Sequence, residues 1–220
     1  MVFKRRTPRS WLRAFVEFFY PRGGWQRAAQ YVVHRVRRLP DEPHRIGRGV
    51  FAGVFISFTP LFGFHFLFAA GIAWVIRGNI LAALLATFFG NPLTTPVIAW
   101  SAVELGHLIL GSDRAISLDE IVTAFSGATT ELWRNILAMF GPGVTHWSAL
   151  GGFFDAIFLP YLVGGIVPGV ICAAVCHHAT LPLVEAYKKR RKKKLRDRVE
   201  KLRAQAAVRA RADGATGGPA

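Results

Sequence analysis

The polar side chains between Gly49 and Ser112 are few, and most of them lie close to a proline. Hydroxyl, amide and imidazole groups are costly in such apolar surroundings, so they often mark a site that binds a solute or passes a proton. Alternatively, they only satisfy backbone groups that proline leaves without a partner. The residues concerned are Thr59, Pro60, His65, Asn79, Asn91, Pro92, Thr94 and Thr95.

Glu104 and His107 are three residues apart, which places them on the same face of a helix. A carboxylate beside an imidazole is able to relay a proton or hold a cation. The competing interpretation is that both lie near the end of an apolar segment and meet interfacial water.

Cys172, Cys176, His177 and His178 form the other group with ligand chemistry. A closed zinc site needs four converging ligands, whereas consecutive histidines on a helix point apart. We therefore interpret the cysteines as small apolar packing residues, and we expect neither a metal nor another cofactor.

Three long apolar segments must position these residues: 49–76, 78–111 and 156–183. Each is long enough to cross a bilayer, which takes about 20 apolar residues. The chain is 52% hydrophobic and yet has a net charge of +15. Because soluble proteins rarely combine such apolar surface with so much charge, the sequence predicts a membrane protein.

Helix breakers interrupt the first two segments near their middles. The first contains Thr59-Pro60 and Gly63, and the second contains the run Gly90 to Pro96, GNPLTTP. Paired interruptions of this kind are typical of re-entrant or discontinuous helices. Ordinary proline kinks in spanning helices explain either break alone about as well.

The charge distribution predicts four regions: a basic segment 1–48, a membrane domain 49–187, a basic helix 188–211 and a disordered tail 212–220. The two basic regions should both be cytoplasmic, so the number of full crossings is even. The connection 111–155 is net negative and suits the outer side. We therefore expect the first segment to be a hairpin that leaves Arg77 in the cytoplasm. Four spans, with Val144 to Leu162 as one of them, is the competing arrangement.

Amphipathic helices are predicted on both faces. In region 1–48, one helix carries Trp11, Leu12, Phe15 and Phe19, and a second carries Trp25, Val32, Val36 and Leu39 at helical spacing. A soluble helical hairpin is the alternative for this region. An outer helix at about 117–140 should begin with a capping box from Ser117 to Glu120. The fold class is therefore all-α: a polytopic helical membrane protein with Pro/Gly-broken, re-entrant helices, amphipathic interfacial helices and a basic C-terminal helix.

Seven consecutive basic residues begin the C-terminal helix. Beside a membrane they are explained by anionic lipid on the cytoplasmic side, at about 1 kcal/mol per basic side chain near the surface. We favour this interpretation over nucleic acid, which similar residues also bind. The residues are Lys188, Lys189, Arg190, Arg191, Lys192, Lys193 and Lys194.

Two stretches carry a family resemblance: PHRIGRGVFAGVFISFTPLFGFHF, residues 43–66, and RGNILAALLATFFGNPLTTP, residues 77–96. They resemble a bacterial membrane family catalogued as domain of unknown function number two thousand and sixty-two, over about residues 25–185. The resemblance implies an integral inner-membrane protein and supplies no catalytic residues. The broken-helix layout also looks like the re-entrant hairpins of the lipid-handling DedA superfamily, although the acidic and arginine signature of those hairpins is not evident.

The chain has no P-loop, nucleophile elbow or dinucleotide-binding motif, so we expect a non-enzymatic protein. The leading hypothesis is a protein of the bacterial inner membrane, both termini cytoplasmic, that accommodates or moves a small solute or lipid at a polar site formed by the broken helices. The alternative is a membrane adaptor or scaffold that recruits an enzyme of envelope synthesis. A homo-oligomer is compatible with either.

Overall fold

The computed structural model describes residues 24–111, 117–141 and 143–216, and every regular element in these ranges is helical. The all-α class is therefore confirmed. The predicted helix around Trp11 and Phe19 lies outside the described residues, as does the end of the tail, 217–220. The helices are α1 Gly24–Arg37, α2 Pro43–Ile56, α3 His65–Val75, α4 Ile80–Ala86, α5 Thr95–Ile109, α6 Leu118–Ala138, α7 Ser148–Phe153 and α8 Leu159–Thr216.

The first apolar segment folds as a helical hairpin made of α2 and α3. Its two ends meet, because the Asn79 backbone N–H donates to the Arg45 carbonyl at 2.8 Å and the Arg48 guanidinium donates to the Arg77 carbonyl at 2.9 and 3.3 Å. The chain thus turns between Ser57 and Phe64 and returns to the level where it started. We call this level, which also holds Asp41 and Lys188, the basic end.

Helix α4 runs parallel to α2 and touches its backbone. A Cβ atom placed on Gly49 would lie 2.2 Å from the Asn79 carbonyl oxygen, and one on Gly53 would lie 2.1 Å from the Ala83 carbonyl oxygen. These glycines are four residues apart, so they form one face of α2 that accepts the neighbouring helix without side chains between them. A 3₁₀ turn, Thr87–Phe89, ends α4.

Helix α8 runs antiparallel to α2 and to α5. At the end opposite the basic end, which we call the far end, a Cβ on Gly106 of α5 would lie 1.8 Å from the Pro160 carbonyl oxygen. Toward the basic end, Gly47 of α2 faces the His177 ring and Leu181. The second segment therefore rises from the basic end through α4 and α5, and α8 returns.

The third apolar segment forms one continuous helix over most of its length. Pro160 and the glycines at 164, 165 and 169 suggest bends, but α8 is continuous from Leu159 to Thr216 with Pro168 and Pro182 inside it. The irregular part is a π-helical turn, Phe154–Phe158, directly before it. These glycines make close contacts with α5 and with Phe58 after α2. The helix also extends beyond Ala212, into the segment predicted to be a disordered tail.

Helices α6 and α7 cover the far end. Helix α6 begins with the capping box that the sequence predicts, in which Ser117 and Glu120 exchange hydrogen bonds. Phe125 of α6 stacks edge-on against Phe62, in the turn of the first hairpin, with ring centroids 5.2 Å apart. The Asn135 side chain bonds both the N–H and the carbonyl of His146, which fastens the chain between α6 and α7.

The surface carries a great deal of exposed apolar area. Trp74 of α3 is 73% exposed and Leu108 of α5 is 76% exposed. One continuous stretch of the described residues, Ser148–Ala206, is long and apolar enough to cross a membrane, with a mean hydropathy of 2.0 in its apolar window. The apolar helices His65–Val75 and Ile80–Phe89 are shorter. At about 1.5 Å per residue each of them reaches roughly half of a 30 Å hydrocarbon layer.

Candidate functional site

The two helix breaks lie side by side, joined by a serine that sequence reasoning missed. The hydroxyl of Ser57 donates to the Gly53 carbonyl at 3.0 Å and lies 3.3 Å from the Thr87 carbonyl, so it links the end of α2 to the end of α4. Phe58 and Phe89 add a ring contact with centroids 5.8 Å apart. The only signal for Ser57 in the sequence is its place two residues before Thr59-Pro60.

In the first break, the polar groups bind the backbone of the turn. The buried Thr59 hydroxyl donates to the Ile56 carbonyl at 2.8 Å. The Thr59 carbonyl accepts from Nε2 of His65 at 3.3 Å. Pro60 supplies no N–H, so these side chains complete hydrogen bonds that the interrupted helix leaves open.

In the second break, Asn91 and Thr94 form a compact network of backbone hydrogen bonds. The Asn91 side-chain oxygen accepts from the N–H groups of Leu93 and Thr94 at 2.9 and 3.1 Å. The Thr94 hydroxyl donates to the Phe89 carbonyl at 2.6 Å and accepts from the Asn91 N–H at 3.0 Å. Pro92 lies inside this turn, and Thr95 and Pro96 begin α5.

The breaks are adjacent, but their predicted polar residues do not form one hydrogen-bonded set. Among the described residues, no hydrogen bond joins Thr59 or His65 to Asn91 or Thr94. Each pair is occupied by its own turn, as in the alternative interpretation of the sequence. At this level the structure brings together the backbone ends of α2 and α4, and the Ser57 hydroxyl links them.

Asn79 lies away from the breaks, at the basic end. Its side-chain oxygen caps α4 by accepting from the Ala82 N–H at 2.7 Å, and its amide donates to Asp41 at 3.0 Å. The bond from Asn79 lowers the pKa of the Asp41 carboxyl below 3.8; partial desolvation opposes the shift, and the Arg45 guanidinium adds to it. Lys188 of α8 donates to the Asp41 carbonyl. Asn79 therefore joins α4 to the start of α2.

An apolar groove of about 490 Å³ opens beside the second break. Its walls come from α1, α2, the end of α4 and α8, and Asn91 and Thr94 lie at its edge. The predicted apolar stripe of α1, including Trp25, Val32 and Val36, faces this groove. Its other wall residues include Val50, Val54, Ala86, Phe88, Phe89, Leu93, Cys176, Ala179, Thr180 and Leu183.

His107 is buried at the far end, where it completes the π-helical turn. Its Nε2 donates to the Ala156 carbonyl at 3.0 Å. That carbonyl lies four residues before Pro160, which has no N–H to give it. Glu104, one turn earlier on α5, is half-buried. The hydrogen bond to the π-helical turn before α8 thus accounts for the buried position of His107.

Cys172 and Cys176 are half-buried free thiols that pack against the core. The rings of His177 and His178 contact each other edge to face, with centroids 5.1 Å apart, so the expectation that these side chains point apart is wrong. Within the part of the chain that the structure describes, no group of three or more His, Cys, Asp or Glu residues is arranged to hold a metal ion.

The basic run from Lys188 to Lys194 forms one stretch of α8 beyond the membrane-length apolar part. Lys188 is held at Asp41, and residues 189–194 are exposed. The run is therefore displayed at the same end as Arg45, Arg48 and Arg77.

The architecture can be set beside known proteins. The profile of a bacterial family described as "Uncharacterized protein conserved in bacteria (DUF2062)" matches residues 26–193. The chain belongs to this family. The resemblance predicted from the sequence is therefore confirmed, and the matched region runs from the first residues of α1 into the basic run of α8. No curated protein and no solved structure matches the chain.

Proposed function

We propose that this protein is an integral protein of the bacterial inner membrane that accommodates a lipid acyl chain in the groove beside the second break. The observation that carries the proposal is the groove itself, with apolar walls that end at the polar turn of Asn91 and Thr94. Cavities of this size, apolar with a few placed polar groups, are the usual form of small-molecule sites.

The exposed surface supports a membrane location. Large apolar side chains are exposed around α3 and α5, including Leu67, Val97 and Leu108 at 67%, 64% and 76%. Such an extent of apolar surface is stable only when lipid or another protein covers it. Helices shorter than the hydrocarbon layer, as α3 and α4 are, occur where neighbouring protein satisfies the interrupted backbone.

The distribution of charge supports one topology. Arg45, Arg48, Arg77 and Lys188 lie at the basic end, whereas Asp119, Glu120 and Glu131 belong to α6 at the far end. With the basic end in the cytoplasm, the α2–α3 hairpin enters and leaves by the cytoplasmic face. The pair α4–α5 then crosses outward, and α8 crosses back. Both termini are cytoplasmic in this arrangement.

The hydrogen bonds at the breaks favour a lipid chain over a small polar solute. Thr59, His65, Asn91 and Thr94 are already bonded to the backbone of their own turns. Using them for a solute would break those bonds, at about 0.5–1.5 kcal/mol each. A hydrocarbon chain needs no such exchange, so the role we propose is binding or transfer without catalysis.

The test fills the groove without disturbing the core. Ala29 on α1 is exposed and lines the groove, so Ala29→Trp should occupy it. The matched control is Leu67→Trp on α3, which is exposed and outside the groove. In liposomes with a fluorescent-labelled phospholipid, we expect wild-type protein and Leu67→Trp to transfer lipid between leaflets, and Ala29→Trp to transfer it several-fold more slowly. If wild-type protein and Ala29→Trp gave the rate of protein-free liposomes, and native mass spectrometry found no retained lipid, the proposal would be wrong.

The basic half of α8 favours a second candidate, a membrane adaptor for an enzyme of envelope synthesis. Residues 189–196 are exposed and carry seven Lys or Arg side chains on a helix that continues away from the packed domain. Deleting residues 188–220 should abolish capture of that enzyme while the protein still inserts into membranes. Replacing Lys192 and Lys193 with Gln should weaken capture in a salt-dependent way. An unchanged set of captured proteins would reject the adaptor.

A further inference from the structure

A second cavity, of about 410 Å³, opens at the basic end between the start of α2 and the α3–α4 turn. It is lined by Arg45, Arg48, Trp74, Arg77, Gly78 and Ile80. Arg48 and the groove residue Val50 are two positions apart on α2, so they point in directions about 200° apart. The cavity and the acyl-chain groove are therefore separate sites on opposite sides of α2.

The cavity is rich in guanidinium groups and poor in carboxylates. Asp41 accepts from Arg45 at 2.9 Å and from the Asn79 amide at 3.0 Å, so its charge is already paired. Within the described residues, neither Arg48 nor Arg77 forms an ion pair. Two positive groups that face one cavity without carboxylate partners repel each other, and an anion between them removes that repulsion.

The Arg48 side chain is held in place by the backbone of the turn that contains Arg77. Nε and Nη2 of Arg48 both donate to the Arg77 carbonyl, which leaves Nη1 of Arg48 for a ligand. Arg77 has a φ of +54°, a conformation that L side chains rarely adopt. The turn is fixed because Gly78 packs on α2, where a Cβ would lie 2.7 Å from the Gly49 nitrogen.

We propose that this cavity binds a phosphate group, carried either by the headgroup of an anionic phospholipid or by a small soluble phosphate ester. Planar guanidinium groups match phosphate oxygens with paired hydrogen bonds, which is the chemistry that two unpaired arginines offer. Trp74 beside the cavity is 73% exposed, and tryptophan is enriched at the level of lipid headgroups. The lipid source rests on the membrane location proposed above, whereas binding of the phosphate group does not.

The experiment compares two arginine variants with a matched control. Arg77→Gln removes one unpaired cavity charge, Arg48→Gln removes the other, and Arg134→Gln on α6 removes an exposed charge at the far end, outside both the cavity and the basic run. Full-length protein is studied by native mass spectrometry with phosphatidylglycerol against phosphatidylcholine, and by calorimetry with glycerol 3-phosphate in detergent. We expect Arg77→Gln and Arg48→Gln to weaken binding about tenfold or more, because each removes a charge-assisted hydrogen bond. Arg134→Gln should retain wild-type affinity.

The two measurements distinguish the sources of the phosphate group. Arginine-dependent binding of phosphatidylglycerol alone assigns a lipid headgroup, and arginine-dependent binding of glycerol 3-phosphate assigns a soluble ester. Equal affinity of wild type, Arg77→Gln and Arg48→Gln for both ligands would overturn the proposal, as would an equal loss in Arg134→Gln. Ala29→Trp in the groove should leave phosphate binding unchanged, so failure of the groove and failure of this cavity are separate results.

Discussion

Single residues in this protein are best explained by the backbone groups that the prolines leave open. Thr59 and His65 bond the turn around Pro60, Asn91 and Thr94 bond the turn around Pro92, and His107 bonds the carbonyl that Pro160 cannot reach. The sequence predicts where the polar residues of the first two turns must lie, since they flank the prolines. It does not predict the partner of His107, because 49 positions separate that residue from Ala156.

The link between His107 and Pro160 can be tested with a double-mutant cycle. His107→Ala removes a donor from the half-buried Ala156 carbonyl, so we expect it to lower the free energy of unfolding by about 1 kcal/mol. In a Pro160→Ala background the new N–H serves that carbonyl, so the cost of His107→Ala should be smaller. Equilibrium unfolding in detergent measures the free-energy cost of His107→Ala in both backgrounds. Ser101→Ala on the exposed side of α5 is the control, and equal costs of His107→Ala in the two backgrounds would contradict the link.

The lowered pKa of Asp41 should make the stability of the protein depend on pH. Its pKa in the folded protein is below the ordinary value of 3.8, chiefly through the Asn79 amide. The carboxyl of Asp41 therefore binds a proton more tightly in the unfolded chain than in the folded chain. Its contribution to the free energy of unfolding is complete above pH 3.8 and is lost as the pH falls through the pKa of the folded state. The melting temperature of Asp41→Asn should therefore fall less than that of wild type between pH 6 and pH 3. Equal falls in melting temperature would show that Asp41 does not contribute to the pH dependence.

At the scale of elements, glycine decides which helices pack closely. Breaks and helix starts are local, so Pro60, Asn91 and the Ser117 capping box are visible in the sequence. The parallel packing of α2 on α4 is not, because it depends on where two distant backbones meet. Gly49 and Gly53 do show the spacing of a small-residue contact face, but several other glycine pairs in the chain are also close in sequence.

The close contact of α2 with α4 at Gly53 can be tested with a second glycine, Gly71, as the control. Gly53→Ala places a methyl group 2.1 Å from the Ala83 carbonyl oxygen, so α2 and α4 must separate. We expect a loss of about 1–3 kcal/mol of stability, as for other overpacked sites. Gly71→Ala on α3 meets nothing within 4 Å and should be neutral or slightly stabilising, since alanine favours helix. Equal melting temperatures for both variants would show that the helices do not meet at Gly53.

At the scale of the whole molecule, the topology that we propose predicts which residues are accessible from each side of the membrane. In a variant without Cys172 and Cys176, a cysteine at Arg77 should react with an impermeant reagent only from the cytoplasm. A cysteine at Glu120 should react only from outside, and one at Lys192 provides the cytoplasmic control. Reaction of residue 77 from outside would move the hairpin to the second segment, and reaction of residue 120 from the cytoplasm would favour four spans.

The continuity of α8 has a mechanical consequence. Because the helix runs without interruption past its anchor at Asp41 to Thr216, its basic half behaves as a stiff lever attached to its apolar half. The lever beyond Lys188 is roughly 40 Å long at about 1.5 Å per residue, so a tilt of about 10° moves its tip by about 7 Å. A small tilt of the packed domain would thus move the positive charges of this helix over a much larger distance.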